Sequence, residues 1–285
     1  MCDLLVALPS ATANHHTLFA KNSDRPPGEH QVLEWLAPRD EDQTRTTYLT
    51  VDGPPDGRTI GVVGSRPSWM WGLEHGVNEA GVAAGNATIY TTLDPRGGPD
   101  GLTGMDLVRL ALERSPTAAD AVAVIADAIE RWGQGGSGHQ GADRPYWSSF
   151  LVADTRDAWV VETSGTTIAT EPVHDTWAIS NRTTIPAFDA RHRHPRQPVA
   201  TLVDPRLDAS RSVLARRPVT VDALQHHLAS HDGGSEGWTV CMHVDGIEET
   251  RAALVAELAP DGITLWTAQG SPCQTAFDRR EVGRR

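Results

Sequence analysis

The chain has 285 residues, of which 39% are hydrophobic and 22% charged, and its formal net charge is −12. That acidic balance argues against a general affinity for nucleic acid, because phosphate binding draws on clustered Lys and Arg. No stretch approaches the roughly 20 apolar residues of a membrane span. The N-terminus has no basic segment before its apolar run, which Asp3 interrupts, so the expectation is a cytoplasmic protein without a secretory leader or membrane partner.

The first 25 residues read as a β-hairpin: Cys2 to Leu8, a polar turn containing His15 and His16, then Leu18 to Arg25. Cys2 has two readings. A cysteine in an apolar strand is ordinarily core. If Met1 is removed, as small penultimate residues favour, Cys2 carries both a thiol and a free α-amine, a nucleophile and a general base on one residue. The choice depends on partners elsewhere in the chain.

A Pro-rich loop follows, then strands at Val32 to Leu36 and Thr46 to Val51. Trp69 and Trp71 alternate as on one buried face of a further strand. Residues 74–87 read as a second hairpin, turning at Asn78 to Gly81 and delivering Asn86 at the end of its second strand. Thr103 with Asp106 resembles an acidic capping box opening a helix to Arg114, and Thr117 caps a second helix on which Val122, Ile125 and Ile129 recur at helical spacing. The Gly-rich run 133–141 follows a helix rather than a strand and lacks a Gly-Lys-Ser/Thr triplet, so it is a connector or lid rather than a phosphate loop.

Strands are expected over 148–153, 158–163, 166–170 and 176–179, the first three as a meander and the last ending in Ser180-Asn181-Arg182. The basic cluster 191–196 reads as a solvated loop. Helices over 207–214 and 219–231 precede strands over 239–244, 251–258 and 264–267. The succession predicts an α+β domain of layered sheets and helices spanning 2–285.

Cys2, Cys241 and Cys273 are far apart and odd in number, neither a disulfide framework nor a zinc motif. No His-Glu-x-x-His site and no Gly-x-Ser-x-Gly elbow is present, so neither a catalytic metal nor a cofactor is expected. Lys21, Asp24, Asn86, Asn181 and Arg211 fall near the ends of elements, where side chains can converge. Asparagine there is also an ordinary turn residue, and Asp24 an ordinary capping one.

The segments Cys2-Asp3, Ala20-Lys21-Asn22-Ser23-Asp24-Arg25-Pro26, 76–86, 103–114, 133–136, 158–163, 178–182 and Cys241-Met242-His243 together resemble the secernin and dipeptidase A family. These are N-terminal nucleophile cysteine hydrolases related to choloylglycine hydrolases and penicillin V acylase. The resemblance implies a four-layer αββα sandwich and hydrolysis of a peptide or amide bond, most simply a dipeptide. It implies Cys2 as nucleophile, Asp24 at its α-amine, Asn86 and Asn181 at the oxyanion and amine, Arg211 supporting the nucleophile, and Lys21 where choloylglycine relatives carry arginine. Leu4, where relatives often have threonine, and the shorter chain are departures that bear on substrate. An acyltransferase or amidase using the same thioester, or a catalytically silent interaction protein, fits the same scaffold, and a homo-oligomer is left open.

Overall fold

The computed structural model of the chain describes residues 1–283; residues 284 and 285, the end of the expected 2–285 domain, lie outside the described residues. The N-terminal half runs β1 (Cys2–Ala7), β2 (Thr17–Arg25), β3 (Gln31–Leu36), β4 (Gln43–Arg45), β5 (Thr50–Asp52), β6 (Val62–Pro67), β7 (His75–Asn78), β8 (Ala83–Ile89), α1 (Gly104–Arg114) and α2 (Ala118–Trp132). It continues with β9 (Trp147–Ala153), β10 (Ala158–Ser164), β11 (Thr167–Pro172), β12 (Thr176–Ile179), α3 (Pro186–His192), α4 (Val199–Leu202), α5 (Asp204–Ala215) and α6 (Val221–Leu228). The chain closes with β13 (His243–Val244), β14 (Glu248–Ala259), β15 (Gly262–Gln269) and β16 (Asp278–Val282).

Two antiparallel sheets carry the fold. One has the order β12-β1-β2-β14-β15-β16 with β13 on β14, and the other β11-β10-β9-β8-β7-β6-β3. Because side chains alternate across a strand, β1 serves two cores at once. Cys2, Leu4 and Val6 face the second sheet and pack with Phe19, Ala83, Leu151 and Val160. Leu5 and Ala7 face the other way, onto Leu207 and Leu214 of α5 and Leu224 and Leu228 of α6. A third core joins the second sheet to the αα-hairpin, where Leu107, Leu110, Ile125 and Ile129 meet Ala84, Phe150 and Val152. The layers are therefore helix, sheet, sheet, helix, the α+β sandwich that the sequence implied.

Local chemistry explains most of the boundaries. Thr103 and Asp106 form a reciprocal capping box at the start of α1, and the Thr117 side chain accepts from the Asp120 amide at the start of α2. Residues 46–49 form a turn instead of a strand, closed by a 2.8 Å bond from Thr46 N to Leu49 O, and only Thr50–Asp52 is extended. Residues 68–74 are also a turn rather than a strand. Trp71 lies beneath the Arg109 guanidinium, 4.2 Å from ring centroid to Cζ, and Trp69 Nε1 donates to Glu29 Oε1 at 3.2 Å. β16, a charged edge strand lacking alternation, is held by backbone pairing to β15, which side-chain patterning does not signal.

One crossover places the site. After the β9–β11 meander, β12 leaves the second sheet and pairs with β1 in the first, Leu4 opposite Ile179. Residues 180–182 thus arrive beside Cys2. Among the described residues no helix is long and apolar enough to cross a membrane.

Candidate active site

Cys2 pairs with Ser23 across the opening hairpin, and Leu4 with Lys21. Cys2 is 6% exposed, at the wall of a cavity of about 770 Å³ also lined by Met1, Asp24, Asn86, Asn181 and Glu248. Burial pushes the Cys2 thiol up from its ordinary pKa, with the Lys21 ammonium opposing that rise. In this environment the resting sulfur is protonated at neutral pH, so attack requires a base.

The backbone N of Cys2 donates to Asn181 Oδ1 at 3.0 Å. That oxygen also accepts from Arg206 Nη2 at 2.9 Å, and Asn181 Nδ2 donates to Thr88 O at 3.0 Å. Both ends of the amide are thereby fixed, with the oxygen toward Cys2 N. The turn carrying Asn181 is braced by Glu162, whose Oε1 accepts from Thr184 N and, at 2.9 Å, Thr184 Oγ1, and whose Oε2 accepts from Ile185 N at 3.2 Å. Burial pushes the Glu162 carboxyl up to about 7 against these bonds.

Met1 fills the space in front of Cys2. Its α-amine donates to Asp24 O at 3.1 Å and pairs with Glu248, and its Sδ accepts from Arg206 Nη2 at 3.2 Å. Burial lowers the pKa of this amine, and the Asp24 carboxylate opposes the change. Asp24 Oδ1 accepts from Thr250 Oγ1 at 2.6 Å, while its buried Oδ2 has no partner among the described residues. Burial raises the Asp24 carboxyl to about 6, with the α-ammonium, Arg206 and the Thr250 bond pulling down and Asp3 pushing up.

Lys21 is fully buried. Its Nζ donates to Glu74 O at 2.7 Å and Asn86 O at 2.6 Å and lies 3.5 Å from Glu74 Oε2. It therefore ties the residue before β7 to the middle of β8 while its charge acts on the thiol. Asn86 lies within β8 rather than at its end, and its buried Oδ1 is without a partner among the described residues. Gly104 makes room for it: a Cβ there would sit 2.0 Å from Ser148 Oγ and 2.5 Å from Asn86 Nδ2. The Gly-rich 133–141 segment lines the cavity through Gly138 and His139, and Arg25 Nη2 fastens it by a 2.7 Å bond to Gly138 O.

Cys2, Lys21, Asp24, Asn86 and Asn181 are thus brought together, but Arg211 is not. Its side chain is 56% exposed and bonds Asp208 within its own helix. The guanidinium at the site belongs to Arg206, fully buried, with Nη1 on Asp3 Oδ2 at 2.5 Å and Nε on Leu202 O at 3.1 Å. Asp3 Oδ1 accepts in turn from Ser180 Oγ at 2.7 Å. Arg206, Ser210 and Leu214 recur every fourth residue along the buried face of α5, and Arg211 is rotated about 100° from Ser210 toward solvent. That i, i+4, i+8 series is the signal that distinguishes the two arginines. Glu248 carries no sequence signal of this kind.

No protein-family model matches the chain. Among solved structures it is similar to penicillin V acylase from Agrobacterium tumefaciens, with 16% identity, coverage of 94% of this chain and 83% of that one, and a TM-score of 0.56. A variant of conjugated bile acid hydrolase from Clostridium perfringens gives 11% identity, 99% and 92% coverage and a TM-score of 0.58. The Caenorhabditis elegans ortholog of N-acylethanolamine-hydrolyzing acid amidase gives 13% identity, 89% and 92% coverage and a TM-score of 0.51. The shared feature is the N-terminal nucleophile hydrolase fold.

Two stability measurements check the site's framework. Arg206→Leu leaves Asp3 buried without its cation and should cost about 3–5 kcal/mol in urea unfolding, whereas Arg211→Ala should stay within about 0.5 kcal/mol. Equal effects would contradict the placement of the two arginines. For Glu162 the folded carboxyl titrates at about 7 against the ordinary 4.5, so its contribution is full below about 4.5 and lost as pH rises through about 7. Between pH 5 and 8 the wild type should lose about 2–3 kcal/mol that Glu162→Gln does not lose. Parallel curves would show that Glu162 is ionised throughout.

Proposed function

We propose that the chain is an N-terminal cysteine amidohydrolase acting on short peptides with a free α-amine, most simply dipeptides. Loss of Met1 turns the Cys2 backbone N into an α-amine at a point where Asn181 Oδ1 already accepts a hydrogen bond from it. The departing carbonyl of Met1, now held by the Asp24 backbone N at 2.8 Å, leaves room there for the amine's additional hydrogens.

The α-amine takes the thiol proton, and the thiolate attacks the scissile carbonyl to form a tetrahedral adduct. The Asn86 side-chain amide stabilises the oxyanion, while Lys21 holds the Asn86 backbone and its ammonium favours the anionic sulfur. The α-ammonium returns its proton to the leaving amine, and a thioester on Cys2 remains. Water, deprotonated by the same α-amine, then cleaves the thioester and restores the thiol. Arg206 touches none of the reacting atoms; it positions Asn181 and Asp3.

The observation that supports a peptide substrate is the environment of Met1 itself. Its α-ammonium is paired with Glu248 in the cavity wall, so removal of Met1 leaves a carboxylate beside Cys2 suited to a substrate's amine. The cavity is also lined by Arg144 and Arg196, which have no carboxylate partner among the described residues and suit a dipeptide's terminal carboxylate.

The test is a panel of free dipeptides, N-acetylated dipeptides and N-acyl amides assayed with and without an added amine acceptor. Cys2→Ala should abolish turnover, and Asn86→Ala should lower kcat roughly 100-fold to 1,000-fold. Glu248→Gln should raise KM roughly 10-fold for free dipeptides, the loss of a charge-assisted bond, and leave acetylated ones unchanged. Hydrolysis surviving in Cys2→Ala would end the nucleophile assignment. Equal KM effects on both substrate sets would end the assignment of a free-amine substrate alone.

A further inference from the structure

Apart from Cys2, the remaining cysteines, separate in sequence, are not separate in space. Cys241 and Cys273 converge with His231 and His243 so that one donor atom from each lies within 4.8 Å of all the others. His243 Nε2 lies 3.5 Å from Cys241 Sγ and 3.1 Å from Cys273 Sγ, and the His231 and His243 rings meet edge to face with centroids 5.2 Å apart. We propose that these four residues form a tetrahedral site for a single zinc ion.

The geometry has the right scale. Zinc bound at about 2.3 Å to sulfur and about 2.0–2.1 Å to nitrogen places neighbouring donors about 3.3–3.8 Å apart. Of the two sulfur-to-nitrogen separations, 3.5 Å already falls in that range and 3.1 Å needs a shift of only a few tenths of an ångström. Two thiolates and two imidazoles in a tetrahedron suit zinc, and four protein ligands leave no open position for a reacting water, so the site is structural. Cys241 is buried and Cys273 exposed, so the ion would close an edge of the fold rather than lie in the substrate cavity.

Its placement gives it something to hold. His231 follows α6, Cys241 and His243 lead into β13, and Cys273 lies in the turn after β15. Residues flanking two of these segments grip Thr250: Met242 N donates to Thr250 Oγ1 and Ser271 Oγ to Thr250 O, both at 2.8 Å. Thr250 is the residue whose hydroxyl donates to Asp24. A metal joining the segments would fix that support without touching the catalytic residues. The site is independent of the hydrolase reading and is tested without turnover.

The full-length protein, purified anaerobically without chelator, is analysed for metal content and free thiols. About one zinc per chain is expected. Zinc removed by a strong chelator and replaced by Co²⁺ should give the visible bands of tetrahedral cobalt and a thiolate-to-cobalt charge-transfer band. Cys273→Ser, an exposed change whose folding is checked by circular dichroism, should lose the charge-transfer intensity of one thiolate. It should also bind zinc roughly 100-fold more weakly, at least the upper loss typical of second-sphere changes. Sub-stoichiometric zinc after reconstitution, iron or copper in its place, a Cys241–Cys273 disulfide, or a cobalt spectrum unchanged in Cys273→Ser would each overturn the proposal.

Discussion

The buried pair of Asp3 and Arg206 is the constraint on which the site depends. Both side chains are fully excluded from water, and the guanidinium divides its donors among Asp3, Asn181, Leu202 O and the Met1 sulfur. A charge so placed is tolerated only where it is paired and most of its donors are used. Satisfying it fixes the start of β1 relative to α5 and the 180–182 turn, three pieces of chain remote in sequence. The orientation of the Asn181 amide, and with it the direction of the Cys2 N–H, follows from that arrangement.

Strand periodicity divides the work on either side of it. Cys2 points between the sheets toward Lys21 and Glu74, and Asp3 points to the helix layer and Arg206. One step along β1 therefore separates the surroundings of the Cys2 thiol from the framework that aims its backbone. Burial makes the Cys2 thiol a poorer acid and the Met1 amine a poorer base, both of which work against proton transfer, while the Lys21 ammonium favours the thiolate and the Asp24 carboxylate favours the ammonium.

Much of this was legible in the sequence wherever local rules govern. The opening hairpin, the two capped helices, the β9–β11 meander and the Asn181 turn follow from alternation, caps and turn residues. The hairpin carried Cys2, Lys21 and Asp24 to one place because register is set by adjacent strands. Arg206 was missed because choosing it over Arg211 requires knowing which face of a weakly amphipathic helix is buried. Glu248 was missed because it matters only through Met1, across the sheet. The His231, Cys241, His243 and Cys273 cluster has no motif spacing; its members come from a loop, a strand start and a turn that meet only when β14 and β15 pair. Asn86 was found as a strand residue but sits inside β8, where Lys21 and Gly104, not the strand's end, decide its position.

In the proposed reaction the α-amine and the thiol of one residue, Cys2, act together. The direct measurement is rapid-quench mass spectrometry of the N-terminal peptide during turnover of a slowly hydrolysed substrate. The expected result is a peptide beginning at Cys2 that gains the mass of the acyl group as a hydroxylamine-sensitive thioester, with no such adduct on chains retaining Met1. Acylation of chains that still carry Met1, or an acyl group found on any other residue, would contradict it.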